Sequence, residues 1–319
     1  MPSPIQVSVI VPTRNQLGRL AETLAGIVAQ QVRFEAIVVD RGSTDGTWAW
    51  LGEMARTRPW LRPVRRDGAS LPEACNRALR EARAPLVAFL DPEDAAWRPG
   101  KLKTQRAAHA ADPDLVLSFT DQALVDTRGD EHGGWLERHP FLACRIEGGR
   151  GVRRLDAGAV AALLAEDAIG ISTVMARREA LLRAGGFDPA LGGASAWDLW
   201  LKLARQGALA CTTQRLVERM PHARTLVSPH AMAEIIRRHG AAIGGGHAFA
   251  LRAAYGRLAL LEAAAARAAG RPGTAFLARL RALRLTLSLG SPAPPPTSAP
   301  ASSGSGRASV WRDVAPGPL

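Results

Sequence analysis

The chain has 319 residues, enough for one large domain with an appendage or for two smaller domains. Its formal net charge is +12, but the 41 basic residues include only three lysines. We attribute the charge to a general bias toward arginine and not to a patch that follows a phosphate backbone. The composition therefore predicts no nucleic-acid partner.

The cysteines and the hydropathy of the chain indicate its cellular compartment. Cys75, Cys144 and Cys211 are far apart and odd in number, as expected for free thiols in a reducing compartment. The chain starts with a strand-like segment and not with a secretory leader, and it has no run of 18 apolar residues. We therefore predict a cytoplasmic protein.

The first half of the chain alternates strands and helices. Apolar runs at 7–11 and 36–40 predict buried parallel strands, and residues 17–30 between them have helical spacing. A helix with Trp48 on its apolar side follows, then a helix that begins near Pro72, and then a third apolar strand that ends at Asp91. This order predicts an α/β fold with a Rossmann-like, mostly parallel sheet flanked by helices.

The second half is less regular. Residues 115–220 are mixed, residues 226–289 are rich in Ala, Leu and Arg and indicate helices, and residues 291–307 are a low-complexity Pro/Ser/Gly segment. We expect one α/β domain over 1–225, a helical C-terminal extension over 226–290, and a disordered tail over 291–319.

Polar residues follow three of the predicted strands: Thr13, Asp40 with Ser43, and Asp91 with Glu93. Each acid taken alone could simply cap a turn. In parallel sheets, however, ligands bind beyond the carboxyl ends of the strands, and acids there also hold divalent cations that bridge to phosphates. Their occurrence on one sheet edge favours a nucleotide-phosphate site.

Six motifs occur in order along the chain: VSVIVPTRN, AIVVDRGSTDGTW, the G-x-S-x-x-x-A-x-N run from Gly68 to Asn76, VAFLDPEDAAWRPGKL, ISTVMARREALLRAGGFDPAL and WDLWLKLARQG. Together they resemble the motifs of family 2 glycosyltransferases. The resemblance covers about residues 5–225 and implies a GT-A fold. It also implies inverting transfer from a nucleotide-sugar donor to a glycan or lipid-linked acceptor in cell-envelope or surface polysaccharide synthesis, helped by Mg²⁺ or Mn²⁺.

The same resemblance implies a donor site and a metal site. The residues that it assigns to the nucleotide sugar are Pro12, Thr13, Asp40, Ser43, Asn76 and Asp91. Asp91 and Glu93 take the two acidic positions of the family's metal motif, and Cys75 stands where the family frequently has an arginine. His222 lies in the run RMPHAR, which resembles the family's R-x-H element. This element can approach the diphosphate or the metal, but a surface or capping role for His222 stays open.

The sequence departs from the family pattern at the position of the catalytic base. The family places a carboxylate just before the W-D-L-W helix, and by position this residue is Ala196, preceded by Ser195. Asp198 is a weak substitute, because two residues along a helix correspond to a rotation of about 200°. A positioned base contributes about 10² to 10⁴ in rate.

Three interpretations therefore stay open. The protein is a working glycosyltransferase that uses another base or tolerates slow chemistry. Alternatively, it is a catalytically impaired nucleotide-sugar or glycan-binding module that scaffolds or regulates an active transferase. In the third, it is some other nucleotide-binding protein.

The last predicted helix is amphipathic. Phe276, Leu280, Leu283 and Leu287 fall on one face, and arginines surround them. Such a helix can lie on an anionic membrane, so residues 275–289 are a candidate peripheral contact with the inner face of the membrane. The alternative is a helix packed on the domain with solvated arginines.

Overall fold

A computed structural model describes residues 4–92, 95–146, 151–219, 227–243 and 247–287. Glu93, His222 and the predicted tail over 291–319 lie outside these ranges. The domain limits expected from the sequence stay predictions.

The first half forms the predicted alternation of strands and helices. The elements are β1 (Val7–Thr13), α1 (Leu17–Val28), β2 (Phe34–Asp40), α2 (Thr47–Thr57), β3 (Leu61–Arg65), α3 (Leu71–Glu81) and β4 (Leu86–Phe89). The start of α3 is specified locally, because Ser70 and Glu73 form a reciprocal capping box and Pro72 occupies its first turn.

The second half contains shorter strands between helices. The elements are β5 (Ala95–Trp97), α4 (Lys101–Ala111), β6 (Leu115–Val125), β7 (Glu131–Gly134), α5 (Pro140–Ala143), β8 (Val152–Arg154), α6 (Ala159–Ala165), β9 (Met175–Arg177), α7 (Arg178–Arg183), α8 (Ser195–Ala204), β10 (Ala208–Arg219), α9 (Pro229–His239), α10 (Ala248–Ala268) and α11 (Pro272–Leu287).

The ten strands of the described residues form one sheet in the order β3-β2-β1-β4-β9-β6-β10-β5, with β7 beside β6 and β8 beside β10. The four strands from β3 to β4 are parallel, and β10 runs parallel to β6. The short strand β9 pairs antiparallel with both β4 and β6 and joins the two halves. The predicted α/β fold with a mostly parallel sheet is confirmed.

Helices cover both faces of this sheet. Along β1, Val9 and Val11 pack with Leu24 of α1 in one core, whereas Ile10 packs with Leu79 of α3 in the other. This double cover is what a buried parallel sheet requires. β2 lies on one side of β1 and β4 lies on the other. Because the connections from these strands diverge at this point, a crevice opens beyond the carboxyl ends of β1 and β4.

The helices α10 and α11 pack on each other over a short connection. A Cβ on Gly256 of α10 would lie 3.8 Å from Cβ of Leu285 on α11. Ala275 and Ala282 of α11 are buried, as small residues at a close helix–helix contact should be. The predicted helical extension therefore ends in a helical hairpin.

The opposite face of α11 is apolar and open to solvent. Phe276, Leu277, Leu280 and Leu283 are between 39% and 66% exposed. The side chain of Leu287 lies outside the described residues. Among the helices described, none combines the length and the apolar character needed to cross a bilayer.

Candidate functional site

A cavity of about 710 Å³ opens where the crevice beyond β4 meets the second half of the chain. Its walls come from the start of α3 at residues 70–72, the start of α8 at 192–197, the loop that contains Asp167, and the α10 residues Arg257 and Leu260. The cavity therefore joins the carboxyl ends of the first strands to the predicted acceptor region.

Charged side chains of both signs line this cavity. Arg41, Arg219 and Arg257 supply three cations, and Asp91 and Asp167 supply two carboxylates. Arg219 lies 4.6 Å from the centre of the Trp135 ring, which also lines the cavity. Several arginines near a strand-end aspartate suit a phosphorylated ligand that carries a divalent cation.

Thr13 and Asp40 are both buried and are paired across the ends of β1 and β2. Asp40 Oδ1 accepts hydrogen bonds from the Ser43 amide at 3.0 Å and from the Ser43 hydroxyl. Asp40 Oδ2 and Thr13 Oγ1 have no hydrogen-bond partner within the described part of the chain. A buried polar atom without a partner costs about 1–3 kcal/mol, so a ligand that bonded to these atoms would relieve that cost.

The loops that follow β1 and β2 are bonded to each other. The backbone N–H of Asn15 donates to Ser43 Oγ at 2.9 Å. The side-chain Oδ1 of Asn15 accepts from the backbone N–H of Thr44 at 2.8 Å. Pro12 is buried one residue before the end of β1. These bonds hold Thr13 and Asp40 in place before any ligand binds.

Asp91 stands at the end of β4 on the cavity wall, and its amide donates to Ser172 Oγ at 3.0 Å. Burial, reinforced by the nearby Asp91 carboxylate, raises the pKa of the Cys75 thiol far above its ordinary range. Cys75 is therefore a neutral core residue, and the neighbouring Arg41 provides a cation close to the position where the family frequently has an arginine.

The fit of a divalent cation rests on Asp91. Within the described residues, no group of three or more His, Cys, Asp or Glu side chains could hold a metal by itself. Mg²⁺ in nucleotide sites is held by one or two carboxylates together with substrate phosphates, so a single cavity-wall aspartate fits that mode. The other two predicted metal ligands, Glu93 and His222, lie outside the described residues.

At the acceptor end, the start of α8 lines the cavity with Ser195 and Ala196. Asp198 is fully buried, accepts a hydrogen bond from His239 Nε2 at 2.9 Å, and forms an ion pair with Lys202 Nζ at 2.6 Å. Burial opposes ionisation of Asp198, but the bonds from His239 and Lys202 prevail and hold its pKa below the ordinary value. Asp198 thus anchors α8 to α9 and is not among the residues that line the cavity.

Asn76 joins the two halves of the chain. Its Nδ2 donates to the Phe187 carbonyl at 2.7 Å, and its Oδ1 accepts from the Phe187 amide at 2.8 Å. Gly186 lies beside it with φ of +70°, and a Cβ there would come within 2.4 Å of Asn76 Oδ1. Both ends of the amide are therefore bound to the G-G-F turn, which gives Asn76 a bridging role in this structure.

The charged cavity residues that the sequence analysis did not assign to the site include Asp167 and Arg257. Asp167 interrupts the apolar run AGAVAALLAEDAIGIST, and a carboxylate in such a run was an available signal. Arg257 is one of many arginines in the C-terminal helices, and nothing in the local pattern distinguishes it from the others. Only the packing of α10 against α6 brings Arg257 to the cavity.

Comparison with known proteins identifies relatives. Residues 8–158 match the model of a family described as glycosyl transferase family 2. TuaG of Bacillus subtilis (strain 168), named as a teichuronic acid biosynthesis glycosyltransferase, is 32% identical over 127 residues, which cover 39% of this chain and 49% of TuaG. The match thus spans about half the length of that relative.

Solved structures share the fold at low sequence identity. Mannosyltransferase PcManGT from Pyrobaculum calidifontis, in complex with GDP-Man and Mn²⁺, gives a TM-score of 0.55 at 21% identity over 90% of this chain and 88% of its own. S. aureus TarS 1–349, in complex with UDP-GlcNAc, gives 0.57 at 16% identity over 88% of this chain and 92% of its own. This likeness confirms the predicted GT-A fold.

Proposed function

We propose, from the match of residues 8–158 to the model of glycosyl transferase family 2, that the chain transfers a sugar from a nucleotide-sugar donor to a glycan or lipid-linked acceptor in cell-envelope polysaccharide synthesis. The observation that carries the proposal is the single cavity shared by Asp91, at the end of β4, and Ala196, at the start of α8. Donor and acceptor would meet in this cavity.

The donor half of the proposed site binds the nucleotide. Thr13 Oγ1 and Asp40 Oδ2 bond the nucleoside, and Arg41 and Arg219 face the diphosphate. A divalent cation, Mg²⁺ or Mn²⁺, would be held by Asp91 with the donor phosphates and would neutralise charge on the leaving diphosphate. The Mn²⁺ in the PcManGT complex supports the use of such an ion.

A binding module without catalysis is the second candidate, because Ala196 offers no carboxylate at the family's base position. Asp198 does not replace it, since its carboxylate is bound to His239 and Lys202. The two candidates differ in turnover and not in donor binding, so one experiment separates them.

We expect at least one donor to bind more tightly with Mn²⁺ than without it, and to be turned over by the unaltered chain. The measurement is calorimetric titration of UDP-GlcNAc, GDP-mannose and related nucleotide sugars, followed by an assay for released nucleoside diphosphate with water as the acceptor. Binding without turnover, with turnover gained in Ala196→Asp, would establish the binding module. Absence of binding by every donor would contradict both candidates.

A lipid-linked acceptor is supported by the helical hairpin. Leu260 of α10 lines the cavity and is 52% exposed, and the exposed apolar face of α11 lies on the same hairpin. Arg279, Arg281 and Arg284 of α11 carry charge that is complementary to an anionic bilayer. We propose that this face rests on the membrane that holds the acceptor.

The full-length chain should therefore float with vesicles that contain phosphatidylglycerol and not with phosphatidylcholine vesicles. The double variant Leu280→Glu, Leu283→Glu should lower vesicle binding at least about tenfold, because it removes two buried apolar contacts with the bilayer. The matched control is Leu182→Glu, which alters a leucine of α7 that is 38% exposed. Equal flotation of all three proteins, or of none, contradicts membrane contact through α11.

A further inference from the structure

Two tryptophans hold the loop that carries Asp167. Trp135 Nε1 donates to the Ala168 carbonyl at 2.7 Å. Trp200 Nε1, from α8, donates to the Ile169 carbonyl at 3.2 Å. The backbone on the C-terminal side of Asp167 is therefore bonded to two large, buried side chains that cannot move without disturbing the core.

The last turn of α6, which leads into this loop, is also held by side-chain hydrogen bonds. Trp197 Nε1 donates to the Leu163 carbonyl at 2.6 Å. Arg257 Nη1 donates to the Ala165 carbonyl at 3.0 Å, and its guanidinium lies 5.1 Å from the centre of the Trp197 ring. Because Trp197 and Trp200 both belong to α8, the loop is fixed relative to the helix start where the family places its base.

Asp167 is thus a carboxylate on a rigid support at the wall of the cavity that Ala196 also lines. Of the two acidic residues among the described cavity residues, Asp91 stands at the end of β4, where we place the donor. Asp167 is the one left for the acceptor. Its neighbour Glu166 is not among the cavity-lining residues, and its carboxylate accepts a hydrogen bond from the Leu142 amide at 3.0 Å.

We propose that Asp167 is the catalytic base of this chain, in place of the carboxylate that is absent at Ala196. The inference rests on the proposed transfer reaction. The acceptor hydroxyl gives its proton to the Asp167 carboxylate as its oxygen bonds to the anomeric carbon. The bond from that carbon to the diphosphate breaks, and its electron pair leaves with the diphosphate.

The test is Asp167→Asn, which keeps the shape of the side chain and removes its basicity. With Mn²⁺ and whichever of UDP-GlcNAc and GDP-mannose binds, we expect kcat for donor hydrolysis to fall at least about 100-fold. The Kd of the donor should change less than about threefold, because the base acts on the attacking hydroxyl and not on the donor. The acidic limb of the kcat–pH profile should also disappear.

Two further variants make the result specific. Adding Ala196→Asp to Asp167→Asn should restore at least about tenfold of the lost kcat, since a carboxylate returns to the cavity. The matched control Glu166→Gln changes the adjacent carboxylate and should leave kcat within about threefold.

The outcomes also separate this inference from the proposed function. Turnover by Asp167→Asn within about threefold of the unaltered chain overturns the base assignment and leaves the transferase intact. Loss of donor binding in Asp167→Asn also overturns it, because the residue would then hold the donor. Donor binding without turnover by the unaltered chain would overturn both the base assignment and the transferase.

Discussion

Replacing Asp91 with asparagine is expected to lower turnover about 10³-fold, since a cation acting as a Lewis acid supplies several kcal/mol of charge stabilisation. Asp91 lies at the end of β4 on the cavity wall, and it is the described carboxylate at the donor end of the cavity. The asparagine keeps the shape of the side chain and removes the charge that would hold a divalent ion. We therefore also expect the Mn²⁺-dependent part of donor affinity to disappear.

The measurement combines donor hydrolysis with calorimetric titration of the nucleotide sugar at several Mn²⁺ concentrations. Asp67→Asn is the matched control, because Asp67 is 66% exposed at its side chain, pairs with Arg65 and does not line the cavity. A donor affinity in Asp91→Asn that still rises with Mn²⁺ as in the unaltered chain would remove Asp91 from the proposed metal site.

The folded protein is expected to lose about 2 kcal/mol of stability between pH 7 and pH 5, and about 3 kcal/mol by pH 4, through one buried histidine. His109 of α4 is 4% exposed, and burial lowers its pKa to about 4. Its Nε2 lies 3.1 Å from Ser118 Oγ and 3.2 Å from the Met175 carbonyl, so the ring joins α4 to β6 and β9.

The sign follows from proton binding in the two states. In the unfolded chain the pKa of a histidine is about 6.5. Between pH 6.5 and pH 4, His109 therefore binds a proton in the unfolded state but stays neutral in the folded state. The contribution of His109 is therefore fully present above about pH 6.5 and is lost as the pH falls toward 4.

Urea unfolding at pH 7, 6 and 5 measures this effect. His109→Gln removes the titrating group and should flatten the loss of stability over this range, although the variant itself is less stable at pH 7. His230→Gln is the matched control, because it replaces an exposed histidine of α9. Parallel pH profiles for the unaltered chain and His109→Gln would show that acid stability depends on other groups.

The position of the catalytic base can be compared between the sequence and the structure. The sequence identified Ala196 as the altered position, and helix geometry predicted that Asp198 would face away from it. In the structure Ala196 lines the cavity, whereas Asp198 is buried against His239. Asp167, which also lines the cavity, belongs to a different element and has no motif around it.

The sequence by itself determined the features that depend on residues close to one another along the chain. The apolar runs of β1, β2 and β4 predict buried strands because a fully covered strand must be apolar along its whole length. The capping box of Ser70 and Glu73 starts α3 through bonds between residues three apart. The polar residues at the strand ends, from Thr13 to Asp91, indicated the donor site, since parallel strands end at one sheet edge.

Tertiary structure decided what depends on distant partners. β9 has three residues and β10 alternates poorly, so their strand character comes from pairing with β4 and β6 and not from their own pattern. Asn76 bonds to Phe187, 111 residues away, which no local spacing indicates. Asp167 becomes a cavity residue only because tryptophans from α8 and from the segment after β7 bond its loop, and such contacts exist only once the sheet and helices have packed.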